Sequence, residues 1–140
     1  MSIRYRLLGP GDARVLDRVA EEVFDEPVRP DRLHAYLADP ATLMLVALDG
    51  DLVVGQCAAV LHRHPDKPTE LYVDELGVSP AWQRSGIGAE LMRRMLDEGR
   101  ARGCAESWVG TEPDNAAANA LYAGLGGDPV ESFHLYHYDL

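Results

Sequence analysis

Gln83-Arg84-Ser85-Gly86-Ile87-Gly88 lies between the pattern of a short apolar strand and that of a long amphipathic helix. Its glycines lack side chains at positions where a backbone can then approach a ligand closely. The first amides of the following helix have no partner within that helix, and the helix dipole adds positive potential there. Together with the charge of Arg84, these amides form an anion site. The stretch therefore predicts phosphate binding, without specifying which phosphate.

Two other phosphate-binding motifs are excluded by the residues that follow. A Walker A loop ends in Gly-Lys-Ser or Gly-Lys-Thr, whereas Gly88 is followed by Ala89 and Glu90. A dinucleotide fingerprint requires a third glycine three positions after Gly88, and that position is Leu91. A tight turn from strand to helix, with no ligand at all, would explain the same glycines. Taken alone, the loop leaves both interpretations open.

The elements on the N-terminal side of the loop follow from apolar periodicity and turn residues. We expect an edge strand first. A helix begins after Asp12, with apolar residues in phase as far as Val23, and a short helix then runs from Pro30 to Leu37. Three antiparallel strands follow, and Asp49-Gly50-Asp51 gives the first two a strong hairpin signal. The four expected strands cover residues 3–8, 42–48, 52–61 and 70–78.

The elements on the C-terminal side of the loop alternate between helix and strand. We expect a helix from Ile87 to Arg102 that stops at Gly103, a strand over 104–111, a helix over 114–125 ended by two glycines, and a final strand over 130–138. The order β-α-α-β-β-β-α-β-α-β predicts the α+β class. The expected architecture is a single domain over residues 1–140, with a mixed, mostly antiparallel sheet flanked by helices.

The composition narrows the class of partner. The chain carries 23 acidic and 13 basic residues, a formal net charge of −10, which disfavours nucleic acid and would attract a cation. Solubility alone explains the same excess. Cys57 and Cys104 lie in apolar runs, so we expect neither a disulfide nor a metal site. No stretch is long enough to span a bilayer, and the start lacks the apolar segment of a signal peptide, so we expect the cytoplasm.

Three motif pieces carry a resemblance. They are Glu-Leu-Tyr-Val-Asp-Glu-Leu-Gly-Val-Ser-Pro over residues 70–80, Gln83-xx-Gly86-x-Gly88, and Asn115-xx-Ala118-xx-Leu121-Tyr122. In this order and spacing they resemble the GNAT acetyltransferase superfamily, a single-domain acyltransferase fold that uses acetyl-CoA as cosubstrate. The resemblance implies that residues 83–88 cradle the pyrophosphate of coenzyme A. These residues are Gln83, Arg84, Ser85, Gly86, Ile87 and Gly88.

The resemblance also assigns cofactor contacts outside that loop. It implies a bulge in the strand over 70–78, beyond which the strand splays from its neighbour. Backbone groups around Leu76 and Val78 would bind the pantetheine arm and the thioester oxygen. Asn115 matches a position that helps to hold the cofactor. It would equally serve as the N-cap of the last helix, and the two roles are compatible.

The catalytic candidates are a tyrosine and an acidic pair. Tyr122 matches the superfamily's general acid, which protonates the departing thiolate, although a core tyrosine on an amphipathic helix fits the same position. Asp74 and Glu75 are candidates for the base that removes a proton from the attacking amine. A regular strand would turn only one of them to a cleft, and a bulge could change that. Glu70, near the start of the same strand, is a third candidate.

The sequence indicates the acceptor amine less specifically than the cosubstrate. Residues 23–27, 33–37 and 72–78 together look like the aminoglycoside 3-N-acetyltransferase group, which implies a cationic small molecule. A polyamine, a metabolite or a peptide amine remains open, and so does a non-catalytic module that binds coenzyme A. We expect a small-molecule amine as partner, no nucleic acid and no membrane, and we leave a homodimer open. Gly126-Gly127 stands where the superfamily usually has Gly-Phe.

Overall fold

The computed structural model describes residues 2–140, and the chain divides into two units after Gly110. We call the part up to Gly110 the sheet unit and Thr111–Leu140 the C-terminal unit. Each is described by itself. Among residues 2–140, no helix is long and apolar enough to cross a membrane. Cys57 and Cys104 are both free thiols, as expected.

The sheet unit is built on five strands in the order β1-β2-β3-β4-β5. The first three pairs are antiparallel and β4 pairs with β5 in parallel, because a helical crossover joins those two strands. The predicted mixed, mostly antiparallel sheet of the α+β class is thereby confirmed, with β1 as an edge strand. The strands are β1 Ile3–Leu7, β2 Thr42–Asp49, β3 Leu52–His62, β4 Glu70–Val78 and β5 Glu106–Val109.

Two helices pack on opposite faces of this sheet. Helix α1, Pro30–Ala38, lies over the face that includes Met44, Val46 and Ala58, which we call the α1 face. Helix α2, Ile87–Ala101, covers the opposite face, where a Cβ on Gly55 would lie 3.2 Å from Leu91 Cδ1. Both helices lie where the sequence predicted them. Short 3₁₀ turns occupy Ala13–Asp17 and Pro80–Trp82.

The helix predicted from Asp12 to Val23 is wrong beyond the turn at Ala13–Asp17. The Asp12 carboxylate does not cap it, because it accepts hydrogen bonds from the Gly9 amide at 2.8 Å and from Arg6 at 2.7 Å. Further along, the Arg18 carbonyl and the Ala20 amide are hydrogen-bonded to Val53 of β3. These backbone groups are therefore unavailable for a helical ladder. Leu16 and Val23 still enter the core, although along an irregular path.

The C-terminal unit contains one helix, α3, Ala116–Gly124. The Asn115 side chain caps it by accepting from the Ala118 amide at 3.1 Å, and Gly126 ends it with a φ of +91°. The final strand predicted over 130–138 is wrong, because those residues are irregular and exposed. The physical reason lies in the spacing of the apolar residues. Val130, Phe133, Leu135, Tyr136 and Tyr138 break a period of two, so no single face gathers them.

Candidate functional site

A bulge in β4 is the main irregularity of the sheet. Ala58 pairs with Glu75 and Ala59 pairs with Val73, so Asp74 is the extra residue between them. The parallel pairing of β4 with β5 ends at Val73 and Val109. Among the described residues, β3 is therefore the only strand that pairs with residues 74–78, and their other edge has no strand beside it. The bulge implied by the resemblance is confirmed, and the splay stays a prediction; Leu76 and Val78 lie beyond the end of the β4–β5 pairing.

The bulge brings both members of the acidic pair to the α1 face. Glu75 lies opposite Ala58, which belongs to the core cluster that α1 covers. The charges of both carboxylates act on the pKa of the Tyr36 hydroxyl, which lies on α1. Burial raises the pKa of Tyr36, and the negative charges of Asp74 and Glu75 raise it further. The strict alternation that would have turned one carboxylate away does not hold here. Tyr36 itself donates a hydrogen bond to the Leu43 carbonyl at 3.2 Å.

The pKa of each of the two carboxyl groups is raised from its usual value. Burial raises the pKa of Asp74. Burial also raises the pKa of Glu75, the charges of Asp74 and Asp25 raise it further, and a hydrogen bond from Gln56 acts in the opposite direction. A carboxylate with a raised pKa accepts a proton more readily near neutral pH. The pair is thus suited to take a proton from an attacking amine.

The glycine loop is held by contacts on either side of it. The Gln83 side-chain amide donates to the Val78 carbonyl at 2.9 Å, which connects the loop to the free end of β4. The Ser85 hydroxyl donates to the Trp82 carbonyl at 2.5 Å, and the Trp82 indole donates to Asp49 at 3.1 Å. These bonds fix the loop against the end of β4 and against β2.

The loop leaves the start of α2 open to an anion. Arg84 and Gly86 have φ values of +63° and +84°, and Gly86 is the N-cap residue without a side chain to cap the amides. Apart from Gly86 itself and its near neighbours along the chain, none of residues 2–140 places an atom within 4 Å of a Cβ built on Gly86, so there is room beside its backbone. Ile87 is only 2% exposed, so it can offer a ligand its amide but not its side chain. Gly88 follows in the first turn, where amides lack helical partners.

Glu90 lies in the same first turn, where its charge would oppose a phosphate. Arg93 and Arg94 hold it in salt bridges of 2.6 and 2.8 Å. Hydrogen bonds from Arg93 and Arg94 lower the pKa of Glu90 to about 2. The carboxylate is therefore ionised, yet it is surrounded by two guanidinium groups. The positive potential at the start of α2 is preserved by this arrangement.

An acidic cavity of about 450 Å³ lies within the segment that replaces the predicted first helix. Residues 16–28 form its wall, and Glu22 adopts a left-handed φ of +62°, which is uncommon for a residue other than glycine. Asp25 belongs to this wall, and its charge raises the pKa of Glu75. The cavity lies near β4, because the Val23 oxygen of the same segment would be 2.5 Å from a Cβ on Gly77. The acidic residues in the wall are Asp17, Glu22, Asp25 and Glu26.

Glu70 is already engaged at the opposite end of β4. It accepts a hydrogen bond from the Trp108 indole, and its other oxygen lies 2.5 Å from His64 Nε2. The Trp108 and His64 contacts lower the pKa of Glu70. Four residues of extended strand separate it from Asp74, roughly 13 Å. These contacts indicate that Glu70 fixes the 62–69 loop and β5. Its distance along the strand separates it from the acidic pair.

Asn115 and Tyr122 belong to the C-terminal unit. The N-cap role expected for Asn115 is confirmed, while its role toward a cofactor stays a prediction. Tyr122 is partly buried on α3, and its carbonyl accepts from the Gly127 amide at 3.0 Å. A Cβ on Gly127 would lie 2.9 Å from that carbonyl oxygen. The close turn requires a glycine there, which gives a physical reason for the departure from Gly-Phe.

Two residues near the acidic pair were missed in the sequence: Tyr36 and Gln56. Tyr36 approaches the bulge through the path of the chain, and no local pattern marks it. Gln56 did carry a signal, because it is a polar residue in the middle of an apolar strand. It is 1% exposed. Among residues 2–140, no cluster of His, Cys, Asp and Glu could hold a metal ion.

Comparison with known proteins decides the family. Residues 13–126 match the model of the acetyltransferase (GNAT) family. The chain belongs to this family. It is 43% identical to mycothiol acetyltransferase of Beutenbergia cavernae over 93 residues, which cover 66% of this chain and 30% of that protein. It is 36% identical to N-alpha-acetyltransferase RimI of Mycobacterium tuberculosis over 105 residues, 74% of this chain and 63% of that protein. The matches thus span less than two thirds of these relatives' own length.

Solved structures of this GNAT fold are similar over almost the whole chain. An aminoglycoside acetyltransferase from an uncultured soil metagenomic sample, in complex with trehalose, has a TM-score of 0.85 at 20% identity, covering 99% of this chain and 96% of that one. An aminoglycoside N-acetyltransferase in complex with CoA has a TM-score of 0.74 at 17% identity, with coverages of 99% and 96%. GNAT acetyltransferases use acetyl-CoA. The first turn of α2, where amides lack partners within the helix, and the free edge of β4 fit that cosubstrate.

Proposed function

We propose that this GNAT protein transfers the acetyl group of acetyl-CoA to a primary amine of a cationic small molecule, such as an aminoglycoside, by direct attack in a ternary complex. The observation that carries the proposal is the bulge at Asp74. At this bulge two carboxyl groups with raised pKa values are adjacent, and the pairing of β4 with β5 ends just before it, at Val73. An amine-binding side and a thioester-binding side thus meet at one strand.

The cosubstrate side consists of backbone groups more than side chains. The amides of residues 83–88 would bind the pyrophosphate, with the guanidinium of Arg84 adding charge. The backbone at Leu76 and Val78 would bind the pantetheine arm and donate to the thioester oxygen. Gln83 supports this arrangement because its side chain occupies the Val78 carbonyl. Asn115 would add a contact from the cap of α3.

The acceptor side is acidic. An amine is protonated near neutral pH, and the carboxylates of Asp74 and Glu75 would first bind that cation and then accept its proton, directly or through a water. The amine nitrogen forms a bond to the carbonyl carbon while the bond from carbon to sulfur breaks. Tyr122 would give its proton to the departing thiolate. The acidic wall of the cavity over residues 16–28 would attract further positive groups of a polycation.

A covalent acetyl-cysteine route is disfavoured by Cys57. This thiol is fully buried, and it pairs with Leu76 on β4. Burial, together with the charge of Asp74, raises the pKa of Cys57 to about 12. A thiol with that pKa is almost entirely protonated near neutral pH and is a poor nucleophile. Direct transfer to the amine is the route that the side chains near the bulge support.

A peptide amine is the second candidate. The 36% identity to RimI extends over 74% of this chain, and that relative is an N-alpha-acetyltransferase. A polyamine or a metabolite amine fits the same carboxylates. For an aminoglycoside acceptor, acetylation would remove a positive charge and would confer antibiotic resistance. The proposal keeps the cytoplasm as the place of action.

A panel of acceptors tests the proposal. Coenzyme A release is measured with aminoglycosides, polyamines, amino acids and peptides, and each product is identified by mass spectrometry. We expect turnover with cationic small molecules and loss of turnover in Asp74→Asn combined with Glu75→Gln. If the protein binds coenzyme A but acetylates no amine, it is a binding module and the proposal is wrong. Turnover confined to peptides would replace the aminoglycoside with the second candidate.

A further inference from the structure

Gln56 is a buried polar side chain with an unusual set of partners. It is 1% exposed in the middle of β3, and register places it beside Val46 and Gly77 on the α1 face. Its Nε2 donates to the Val23 carbonyl at 3.3 Å. Its Oε1 is buried and has no hydrogen-bond partner among residues 2–140. A buried acceptor left unpaired costs stability, so the position of this amide calls for a reason other than stability.

The position of Glu75 supplies that reason. Glu75 and Gly77 occupy successive positions on the α1 face of β4, opposite Ala58 and Gln56, so Gln56 and Glu75 are diagonal cross-strand neighbours. Burial and the neighbouring charges raise the pKa of Glu75, and the Gln56 amide acts against them. The amide thus lies between the Val23 carbonyl, to which it donates, and Glu75, while its Oε1 is unpaired.

The Val23 carbonyl lies close to β4 because Gly77 has no side chain. A Cβ on Gly77 would lie 2.5 Å from the Val23 oxygen, so the segment over residues 19–28 crosses directly above Gly77. The same segment carries Asp25 and the acidic cavity. Gln56 thus connects the wall of the cavity with Glu75 through a single side chain.

We infer that Gln56 is a positioning residue, which orients the Glu75 carboxylate toward the acceptor amine. The inference rests on the proposed function, in which Glu75 receives the proton of the amine. Glu75 faces the titratable groups of Asp74 on its own strand, Asp25 on the crossing segment and Tyr36 on α1. Gln56 is the neutral member of this group, so it can favour the ionised carboxylate without titrating.

The test is a double-mutant cycle between Gln56→Met and Glu75→Gln, with kcat/KM measured across pH. Methionine has a similar length and no donor. The pH profile of kcat/KM in the wild type should have an acidic limb that disappears in Glu75→Gln, and this limb is assigned to Glu75. We expect Gln56→Met to move this limb upward by about one pH unit, the effect of losing a hydrogen bond to a charged group. In Glu75→Gln, adding Gln56→Met should cause no further loss, because Gln56 acts through Glu75.

Val46→Ala is the matched control, because Val46 is fully buried beside Gln56 and makes no polar contact with Glu75. It should lower stability and leave the limb in place. The inference is wrong, and Gln56 is a structural residue only, if Gln56→Met also leaves the limb in place. The same conclusion follows if the decrease in kcat/KM caused by Gln56→Met adds to the decrease caused by Glu75→Gln. Gln56→Glu provides a second variant of the same size. The added charge should move the limb upward at least as far.

A direct titration separates this inference from the proposed function. Carbon NMR of the Glu75 carboxyl reports its pKa without any turnover, in the wild type and in Gln56→Met. A wild type that acetylates no amine overturns the proposed function. An active wild type whose Glu75 resonance titrates identically in Gln56→Met overturns only the inference about Gln56. An active wild type whose Glu75 titration shifts upward in Gln56→Met supports both.

Discussion

Replacing Gly77 by alanine is a small change with a large expected effect. The added methyl would lie 2.5 Å from the Val23 carbonyl oxygen, and that oxygen belongs to the backbone and cannot rotate away. The 19–28 segment has to move outward. Overpacking of this kind costs about 1–3 kcal/mol. The hydrogen bond from Gln56 to Val23 would weaken, which costs about 0.5–1.5 kcal/mol more.

The expected destabilisation is therefore about 1.5–4.5 kcal/mol. For a chain of this size, 1 kcal/mol lowers Tm by roughly 3–5 °C, so Gly77→Ala should lower Tm by roughly 5–22 °C. Urea unfolding followed by circular dichroism measures the free energy directly, and a thermal scan measures Tm. Acetyl transfer should also fall at temperatures where the variant is folded, because Asp25 moves with the segment.

Gly9→Ala is the control, because its added Cβ would make only an ordinary contact of 3.8 Å with Asp12. Its Tm should stay within about 2 °C of the wild type, a change typical of surface substitutions. A Gly77→Ala protein with the Tm of Gly9→Ala would refute the reasoning. It would mean that the crossing segment yields without cost and does not hold Gln56 in place.

Four further predictions concern the loop, the acid, the base and the acceptor. Gly86→Val should weaken coenzyme A binding by calorimetry at least tenfold, about 1.4 kcal/mol. Gly103→Val, which has a similar positive φ at the far end of α2, should lower stability and leave that affinity unchanged. Tyr122→Phe should lower kcat by roughly two orders of magnitude with an unchanged dissociation constant for acetyl-CoA, and a wild-type single-turnover rate would contradict this. The folded pKa of Glu75 is raised, so its ionisation costs stability as pH rises from the unfolded to the folded pKa. Glu75→Gln should therefore be more stable than the wild type in urea near neutral pH, and the gain should vanish below the unfolded pKa. Added salt should lower kcat/KM for a cationic acceptor, and an unchanged value would show that charge does not guide binding.

The elements that the sequence predicted correctly are those with local signals at their ends. Asp49-Gly50-Asp51 makes the hairpin, with Gly50 at a φ of +62°. Gly103 adopts a φ of +77° just after α2. Pro30 begins α1, and β4 has the bounds that its apolar pattern indicated. In each case a few neighbouring residues decide the conformation, so no knowledge of distant contacts is needed.

The elements predicted wrongly were decided by distant partners. The residues after Asp17 have a helical apolar period, yet their backbone groups bond to Val53 in β3. The backbone groups of Val53 are available to these residues because β4, which pairs with the same edge of β3, ends opposite Gly55. The residues over 130–138 are rich in strand-forming types, but a strand also needs a partner and a regular period. Neither requirement can be checked within the segment itself.

The candidate site was predictable in its parts but not in its arrangement. The glycine loop and the acidic pair were visible because each is a run of adjacent residues. Whether Asp74 and Glu75 face one side depends on the register with Ala58 and Ala59, which is a property of two strands. A glutamine inside an apolar strand indicates a buried polar contact. Its partner could not be named without the fold.

The hydrogen bond between Trp82 and Asp49 bears on how freely this protein can vary or be engineered. Hairpin tips usually tolerate insertions, tags and exchange of residues, because nothing else depends on them. Here Asp49 is the first residue of the turn and also holds the 3₁₀ turn that precedes the glycine loop. An insertion after Gly50 that displaces Asp49 would be felt at the proposed pyrophosphate site. A library built on the 62–69 loop would leave that site undisturbed.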